Sequence, residues 1–185
     1  EQSALVSVLG GGGGKEGVSQ VWITYEAALD AARESALITQ SYFAPDDVFI
    51  EHIVRAAARG VDVRIIVAGF SDSQLLVDAS RSHYAELLEA GVRVFESQES
   101  IMHAKTAVID GVWSTVGSSN LDSLSFIHNH EVNAVIVDAD FGRELEALFA
   151  KDAANSVEIE REAWSQRPLW QRAKELWASL LEYRL

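Results

Sequence analysis

One stretch of the chain contains the residue types that phosphoryl chemistry needs. Its members are His103, Lys105, Asp110, Gly117, Ser118 and Asn120. A histidine can act as a nucleophile or as a base, and a lysine beside it supplies positive charge where phosphate oxygens accumulate negative charge. Hydroxyl and amide groups add hydrogen bonds to the same oxygens. The stretch therefore predicts a phosphate-handling site.

The apolar residues on both sides of Asp110–Gly111 indicate how this site is built. An Asp-Gly pair between two apolar runs predicts a tight turn that joins two antiparallel strands. Because side chains alternate along a strand, His103 and Lys105 should point to one face. The same holds for Ser118 and Asn120. The hairpin would fold the second pair back towards the first, so that all four side chains share a face.

The spacing H-x-K-x4-D-x6-G-S-x-N resembles the signature of the phospholipase D superfamily, the HKD motif. Four flanking segments, residues 41–46, 59–64, 70–73 and 87–93, resemble bacterial cardiolipin synthases. The resemblance covers nearly the whole chain. It implies an α/β fold of the phospholipase D type, in which helices flank a mixed β-sheet as a sandwich.

The resemblance also implies a role for the residues of the motif. His103 would attack phosphorus and form a phosphohistidine, or it would protonate the leaving alcohol. The family needs two such histidines, and this chain has one motif. Lys105 would neutralise the phosphate oxygens, while Ser118 and Asn120 would donate hydrogen bonds to them. No metal or other cofactor is then required.

Two acidic residues complete the expected catalytic group. Asp110 sits at the hairpin turn, so its carboxylate is expected to cap the turn or pair locally in a supporting role. In the family an acidic residue on the following strand orients the histidine ring, and Glu131 occupies that place. Many relatives carry Arg where this chain has Leu124, two residues after Asp122. This departure leaves the alcohol acceptor open.

The implied activity is that of a phosphatidyl transferase of the cardiolipin synthase type. A phosphatidyl group would pass from a phosphatidylglycerol-like lipid to His103 or its counterpart, and then to the hydroxyl of a second lipid. A phospholipase D hydrolase that uses water would share the covalent step. An inactive half that lacks the second histidine is a further alternative. The second HKD half would come from the same longer chain or from a homodimer.

Composition excludes several other classes of protein. The 185 residues are 48% hydrophobic, which is enough for one domain with a real core. The absence of cysteine excludes disulfides and metal–thiolate sites. A net charge of -13, with 15 basic against 28 acidic residues, opposes binding to a nucleic acid backbone. We therefore expect no nucleic acid partner, and the family resemblance implies phospholipid substrates instead.

The two ends of the sequence suggest a piece of a larger membrane enzyme. The chain does not begin with Met, and no stretch approaches the roughly 20 apolar residues of a membrane span. We expect the C-terminal half of a longer chain that works at the bacterial cell membrane, facing the cytoplasm or peripheral to it, with any spans elsewhere. We expect residues 1–185 to form a single domain, with a flexible segment over residues 1–15.

Hydrophobic periodicity predicts alternating strands and helices ahead of the hairpin and one more helix after the catalytic strands. Strands are predicted over residues 4–9, 36–42, 61–67 and 92–96, and helices over residues 18–33, 48–57, 80–90 and 139–153. The glycine run at residues 10–14 fails the nucleotide-loop pattern twice, which favours a flexible connector. The pair His128 and His130 is a weak metal site, because no second cluster accompanies it.

Residues 168–185 predict an amphipathic C-terminal helix. Its apolar stripe is formed by Leu169, Ala173, Leu176, Trp177, Leu180 and Leu181. The stripe packs on its own domain or the partner half in one interpretation, and lies in a bilayer interface, with its tryptophans at headgroup depth, in the other. The overall acidity opposes the second interpretation unless Arg167, Arg172 and Arg184 act locally.

Overall fold

The computed structural model describes residues 4–11, 19–71, 73–98, 102–122, 125 and 129–182. The strands are β1 (Leu5–Gly11), β2 (Ser35–Gln40), β3 (Phe43–Ala44), β4 (Asp62–Ala68), β5 (Arg93–Ser97), β6 (Lys105–Ile109), β7 (Trp113–Gly117), β8 (Leu121–Asp122), β9 (Glu131–Val137) and β10 (Ser156–Glu158). The helices are α1 (Gln20–Ala31), α2 (Asp47–Ala58), α3 (Gln74–Ser82), α4 (Tyr84–Glu89), α5 (Ala139–Ala154), α6 (Arg161–Ser165) and α7 (Leu169–Glu182).

Within the described ranges, eight strands form one mixed sheet in the order β1-β9-β7-β6-β2-β4-β5-β10. The middle strands β2, β4 and β5 are parallel, because a helical crossover separates each from the next. The hairpin strands β6 and β7, together with β9 and β1, add to them antiparallel. Separately, β3 pairs with β8. The mixed sheet predicted from the sequence is confirmed.

Helices cover both faces of this sheet. On one face α1 and α2 bury Tyr25 and Phe49 against Ile38 and Ile65 in the largest apolar cluster. On the other face Phe149 of α5 packs in a smaller cluster with residues of β4 and β5. Each fully buried side chain of this size contributes about 1.5–3 kcal/mol, so the two clusters hold the layers together. The predicted α/β sandwich is confirmed.

The hairpin that carries the HKD motif forms as predicted. Strands β6 and β7 pair in antiparallel register, and Ile109 lies opposite Trp113. Asp110 and Gly111 have positive φ angles of 51° and 62°, and the Val112 N–H donates to the Ile109 carbonyl at 3.2 Å. Positive φ at both central positions matches the twist of the flanking strands. The turn thus fixes the register on which the site depends.

The helix predicted over residues 80–90 is instead two helices, α3 and α4. The Ser82 hydroxyl donates to the Ala79 carbonyl at 2.6 Å, and the His83 N–H donates to Ser80 only three residues back. These local bonds replace the regular helical ones and end α3. Its start at Gln74 escaped prediction because three apolar residues in a row hide the helical period.

The N-terminal segment also differs from the prediction. A strand was expected over residues 4–9, and β1 extends it to Gly11. Gly10 and Gly11, which we assigned to the flexible connector, therefore pair with β9. Because residues 1–3 and 12–18 lie outside the described residues, the rest of the predicted flexible segment stays a prediction.

The C-terminal helix α7 packs on α3 with an unexpected side. Its buried residues are Glu175 and Ala178, while Leu176 and Trp177 are 61% and 67% exposed. Packing of the apolar stripe on its own domain is therefore wrong, while packing on the partner half stays a prediction. The stripe faces away from the domain. Among the described residues no helix combines the length and apolar character that crossing a bilayer requires.

Candidate active site

Lys105 is the fixed cation of the site. It opens β6 opposite Gln40 of β2, and its side chain is buried, with 5% of the residue exposed. Its ammonium donates to the Ser41 hydroxyl at 2.7 Å and to the His103 carbonyl at 3.4 Å. Ser41 in turn donates its N–H, at 3.0 Å, and its hydroxyl, at 3.2 Å, to the Ala104 carbonyl. Ser41, which the sequence analysis did not select, thus anchors both the lysine and the segment beside it.

His103 precedes β6 by two residues, and its side chain is exposed. Its carbonyl is engaged by Lys105, which fixes the backbone beside the imidazole. Among the described residues, none forms a hydrogen bond with the ring itself. The ring is therefore accessible to a substrate approaching from solvent.

The side chain of Asn133 explains why the motif has glycine at position 117. The registers place Lys105, Gly117 and Asn133 side by side on three neighbouring strands, and so on one face of the sheet. Asn133 is fully buried: its Oδ1 accepts from the Ser119 N–H at 3.2 Å, and its Nδ2 donates to Thr115 at 3.1 Å. A Cβ on Gly117 would lie 2.2 Å from that Oδ1. Glycine is therefore required here, because the Asn133 amide occupies the space.

Ser118 and Glu131 form a pair at the rim of the site. The Ser118 hydroxyl donates to the Glu131 carboxylate, and the Ser118 N–H donates to the Val132 carbonyl at 3.0 Å. Alternation along β9 puts Glu131 on the same face as Asn133, which is the face of Lys105. The structure thus gives Glu131 the predicted side of its strand, with Ser118 as its hydrogen-bond partner. That Glu131 orients the ring of His103 stays a prediction.

Asn120 and Asp122 belong to the chain that follows β7, and Asp122 interacts electrostatically with Lys105 and Glu131. The Asn120 Nδ2 donates to the Ser125 hydroxyl at 3.3 Å, while its Oδ1 is buried without a partner among the described residues. Asp122 is 2% exposed and accepts from the Ser125 N–H at 2.7 Å. Asp122 is a site residue that the sequence analysis named only to describe the missing arginine.

The charges of Lys105, Asp122 and Glu131 act on one another. Burial lowers the pKa of Lys105, and the carboxylates of Glu131 and Asp122 oppose that shift. Burial raises the pKa of Asp122, the hydrogen bonds from Ser125 oppose the rise, and Glu131 adds to it. The two carboxylates favour the charged form of Lys105, and that ammonium is the group to which an anionic phosphate oxygen can bind.

Asp110 lies at the far end of β6 from Lys105, roughly 17 Å away at the spacing of an extended strand. Its carboxylate accepts the backbone N–H groups of Arg33, Glu34 and Ser35 at distances of 2.8–3.2 Å. It therefore ties the hairpin turn to the loop that enters β2. This geometry fits the supporting role expected for Asp110 and keeps it away from the phosphate.

We predict that Asp110→Ala lowers stability without lowering the turnover of the folded enzyme. Three backbone N–H groups lose their acceptor, and alanine is strained at a φ of 51°. The expected loss is about 2–4 kcal/mol in the free energy of unfolding, measured by urea denaturation. Asp110→Asn is the matched control, since it keeps an acceptor oxygen and tolerates positive φ, and it should lose less. A large fall in kcat at unchanged stability would show instead that Asp110 acts on the substrate.

The remaining histidine pair of the sequence gives no further site. His128 lies outside the described residues, and His130 is exposed immediately before β9. Among the described residues, no group of three or more His, Asp or Glu side chains is placed to hold a metal ion. The groups that the structure does gather are an exposed imidazole, a buried ammonium and several hydroxyl and amide groups. This set suits the binding and transfer of a phosphate group.

Comparison with known proteins agrees with the family resemblance noted from the sequence. A family model described as "Cardiolipin synthase, PLD-like domain" matches residues 25–153. The chain is 38% identical to cardiolipin synthase A of Buchnera aphidicola subsp. Acyrthosiphon pisum (strain APS) over 176 residues, or 94% of this chain and 36% of that protein. It is also 38% identical to cardiolipin synthase A of Yersinia pseudotuberculosis serotype O:1b (strain IP 31758) over 177 residues, 95% of this chain and 36% of that protein. The chain thus spans about a third of the length of these relatives.

Solved structures share the fold at lower sequence identity. Nuc from Salmonella typhimurium, a phospholipase D family member, superposes with a TM-score of 0.72 at 19% identity over 85% of this chain and 99% of Nuc. Phosphatidylserine synthase from Haemophilus influenzae Rd KW20 superposes with a TM-score of 0.75 at 16% identity. That match covers 98% of this chain and 48% of the synthase.

Proposed function

Because the chain belongs to the phospholipase D-like domain family of cardiolipin synthases, we propose that it is one catalytic half of a phosphatidyl transferase. The observation that carries the proposal is the buried Lys105 ammonium, held by Ser41 and by the backbone carbonyl of His103, whose side chain is exposed. The donor would be a phosphatidylglycerol-like lipid, and the acceptor the hydroxyl of a second lipid. The product would be of the cardiolipin type.

The reaction proceeds in two displacements at phosphorus. In the first, a histidine nitrogen bonds to phosphorus while the bond to the headgroup alcohol breaks, and a second histidine gives that alcohol its proton. In the second, the acceptor hydroxyl attacks phosphorus, its proton passes to the second histidine, and the P–N bond breaks. His103 supplies one of these two imidazoles, as nucleophile or as acid.

The neighbours of His103 stabilise the charge that develops on the phosphate. Lys105 offers its ammonium to the oxygens, and the hydroxyl of Ser118 and the amide of Asn120 add hydrogen bonds. In the resting site Ser118 donates to Glu131. When Ser118 turns to the phosphate, the Glu131 carboxylate is free to accept from one nitrogen of His103. Glu131 then acts as a positioning residue that keeps the other nitrogen towards phosphorus.

The second histidine has to come from another HKD half. The relatives are almost three times as long as this chain, which leaves room for such a half in the same polypeptide. We infer that the two halves meet with His103 facing its counterpart, since the ring is exposed on the isolated half. A homodimer is the alternative source, because it would bring two copies of His103 to one site.

Lipid product analysis tests the proposed function. The full-length parent is incubated with phosphatidylglycerol, and the products are identified by mass spectrometry. We expect cardiolipin and free glycerol as the main products. Phosphatidic acid as the main product would assign a hydrolase that uses water instead. A parent that forms neither cardiolipin nor phosphatidic acid would contradict the proposal.

A further inference from the structure

In the C-terminal helix α7 the exposed face is more apolar than the buried face, which is the reverse of the usual arrangement in a globular domain. Its buried stripe is narrow and holds Glu175 and Ala178, which are 5% and 2% exposed. Ala178 packs against Ala79 of α3 and Ala44 of β3. Glu175 accepts from Arg167 at 2.8 Å in a buried ion pair. Small and polar residues therefore attach the helix, and none of its large apolar side chains is needed for that contact.

The large apolar side chains of α7 lie on the side that faces away from the domain. They form the outer stripe: Leu169 (78% exposed), Trp170 (65%), Leu176 (61%), Trp177 (67%), Leu180 (62%) and Leu181 (39%). At 100° per residue the stripe covers an arc of roughly 140°, centred nearly opposite the buried Glu175. A contiguous apolar face of this kind in water marks an interaction surface.

The charges around the outer stripe are complementary to a phospholipid headgroup layer. Arg172 and Lys174 flank the stripe on its two sides, and Lys174 is also paired with Asp78 at 2.7 Å. Beside α7, Arg161, Arg167 and Arg172 line one cavity of about 230 Å³. Glu89 is the carboxylate in its wall. Arg167 is paired with Glu175, so Arg161 and Arg172 are the two arginines of this cavity outside that ion pair.

We propose that α7 is an interfacial helix whose outer stripe lies in a phospholipid bilayer that contains anionic lipid. Leucines and tryptophans on one face, with arginine and lysine at its margins, are the pattern of helices that lie in the plane of a membrane. Tryptophan rings rest at headgroup depth, and the long basic side chains reach the phosphates above them. Arg161 and Arg172, next to Trp164, are placed to receive such a phosphate.

The position of α7 connects this surface with the active site. Ala44, which shares a buried cluster with Ala79 and Ala178, belongs to β3, and β3 pairs with β8. Strand β8 carries Asp122, and Ser41 lies two residues before β3. A bilayer on the outer stripe would therefore lie one layer of structure from the site. This consequence rests on the proposed function, because only a lipid substrate gives the site a reason to be held there.

The test is flotation of the chain with vesicles of mixed phosphatidylethanolamine and phosphatidylglycerol. We expect the chain to float with the vesicles and its tryptophan emission to shift to the blue. Leu176→Glu and Trp177→Glu should each lower the partition coefficient by about tenfold or more, since each removes an apolar side chain from the bilayer and adds a charge. Leu148→Glu is the matched control, because Leu148 is 47% exposed on α5 and should leave binding unchanged.

Three results would overturn the proposal. The wild-type chain would not float, or the α7 variants would bind as well as Leu148→Glu. The third result is that Leu176→Glu lowers the thermal unfolding midpoint of the full-length parent in the absence of lipid, which would mean that protein covers the outer stripe. Vesicle binding needs no turnover, so His103→Ala should bind like the wild type. A failure of the proposed reaction is thereby distinguished from a failure of membrane binding.

Discussion

Replacing His103 with alanine in the full-length parent should reduce phosphatidyl transfer at least about 100-fold while the fold stays intact. The side chain is exposed, so its loss leaves no cavity in the core. Its backbone carbonyl, which holds Lys105, remains in place. Whether His103 is the nucleophile or the acid, one of the two displacements loses its reactive group. The measurement is kcat with phosphatidylglycerol, together with thermal melting of the same preparation.

A second histidine variant serves as the control. His52 lies on α2, where its Nδ1 contacts Asp30 at 2.7 Å, away from the motif. His52→Ala should leave kcat unchanged. Should His103→Ala keep more than about a hundredth of the wild-type activity with an unchanged melting curve, His103 has neither role.

The second large effect is expected at Lys105. Lys105→Met keeps a straight apolar stem but removes the ammonium that would face the phosphate oxygens. Loss of one preorganised donor of this kind costs about 10²–10³-fold in kcat. The buried carboxylate of Asp122 would also lose a positive neighbour, which makes the site less favourable for an anionic substrate. Steady-state kinetics on the parent enzyme, with the melting curve alongside, measure the effect.

Lys151 provides the matched control for this substitution. It is exposed on α5, on the opposite face of the sheet from the site, and Lys151→Met should leave kcat unchanged. If Lys105→Met retained about a tenth or more of the wild-type kcat in a cooperatively folding protein, the positive charge at this position would not serve the reaction.

The hairpin and its catalytic face followed from local rules. Alternation along a strand and the demands of an Asp-Gly turn together predict the hairpin and the common side of His103 and Lys105, whereas the place of Glu131 came from the family resemblance. These rules use only residues that are close in sequence and the pairing of the two hairpin strands. The fold class followed in the same way from the alternation of apolar strands and helices, together with the family resemblance.

The partners of the motif could not be read from the sequence, because they are distant in it. Ser41 contacts Lys105 across 64 residues, and Asp110 reaches the backbone of residues 33–35 across 75 to 77. Asn133 carried a signal that we overlooked: it is a polar residue at an inward position of an apolar strand. Short strands such as β3 and β8 have too few residues to show a period.

The C-terminal helix shows a different limit of sequence reasoning. Its periodicity correctly predicts an amphipathic helix, but an apolar stripe does not say what covers it. In the structure the small residue Ala178, and none of the large apolar side chains of α7, belongs to the buried cluster with Ala79 of α3 and Ala44 of β3. Helix periodicity cannot distinguish an apolar stripe that packs in the core from one that contacts a bilayer.

The central claim is that a phosphatidyl group is transferred through a covalent histidine intermediate. The stereochemical course at phosphorus tests it most directly, with a donor lipid whose phosphorus is made chiral by oxygen isotopes. Two displacements invert the configuration twice, so the product of the full-length parent should show overall retention. Inversion would mean that the acceptor attacks the donor in a single step, and would contradict the account.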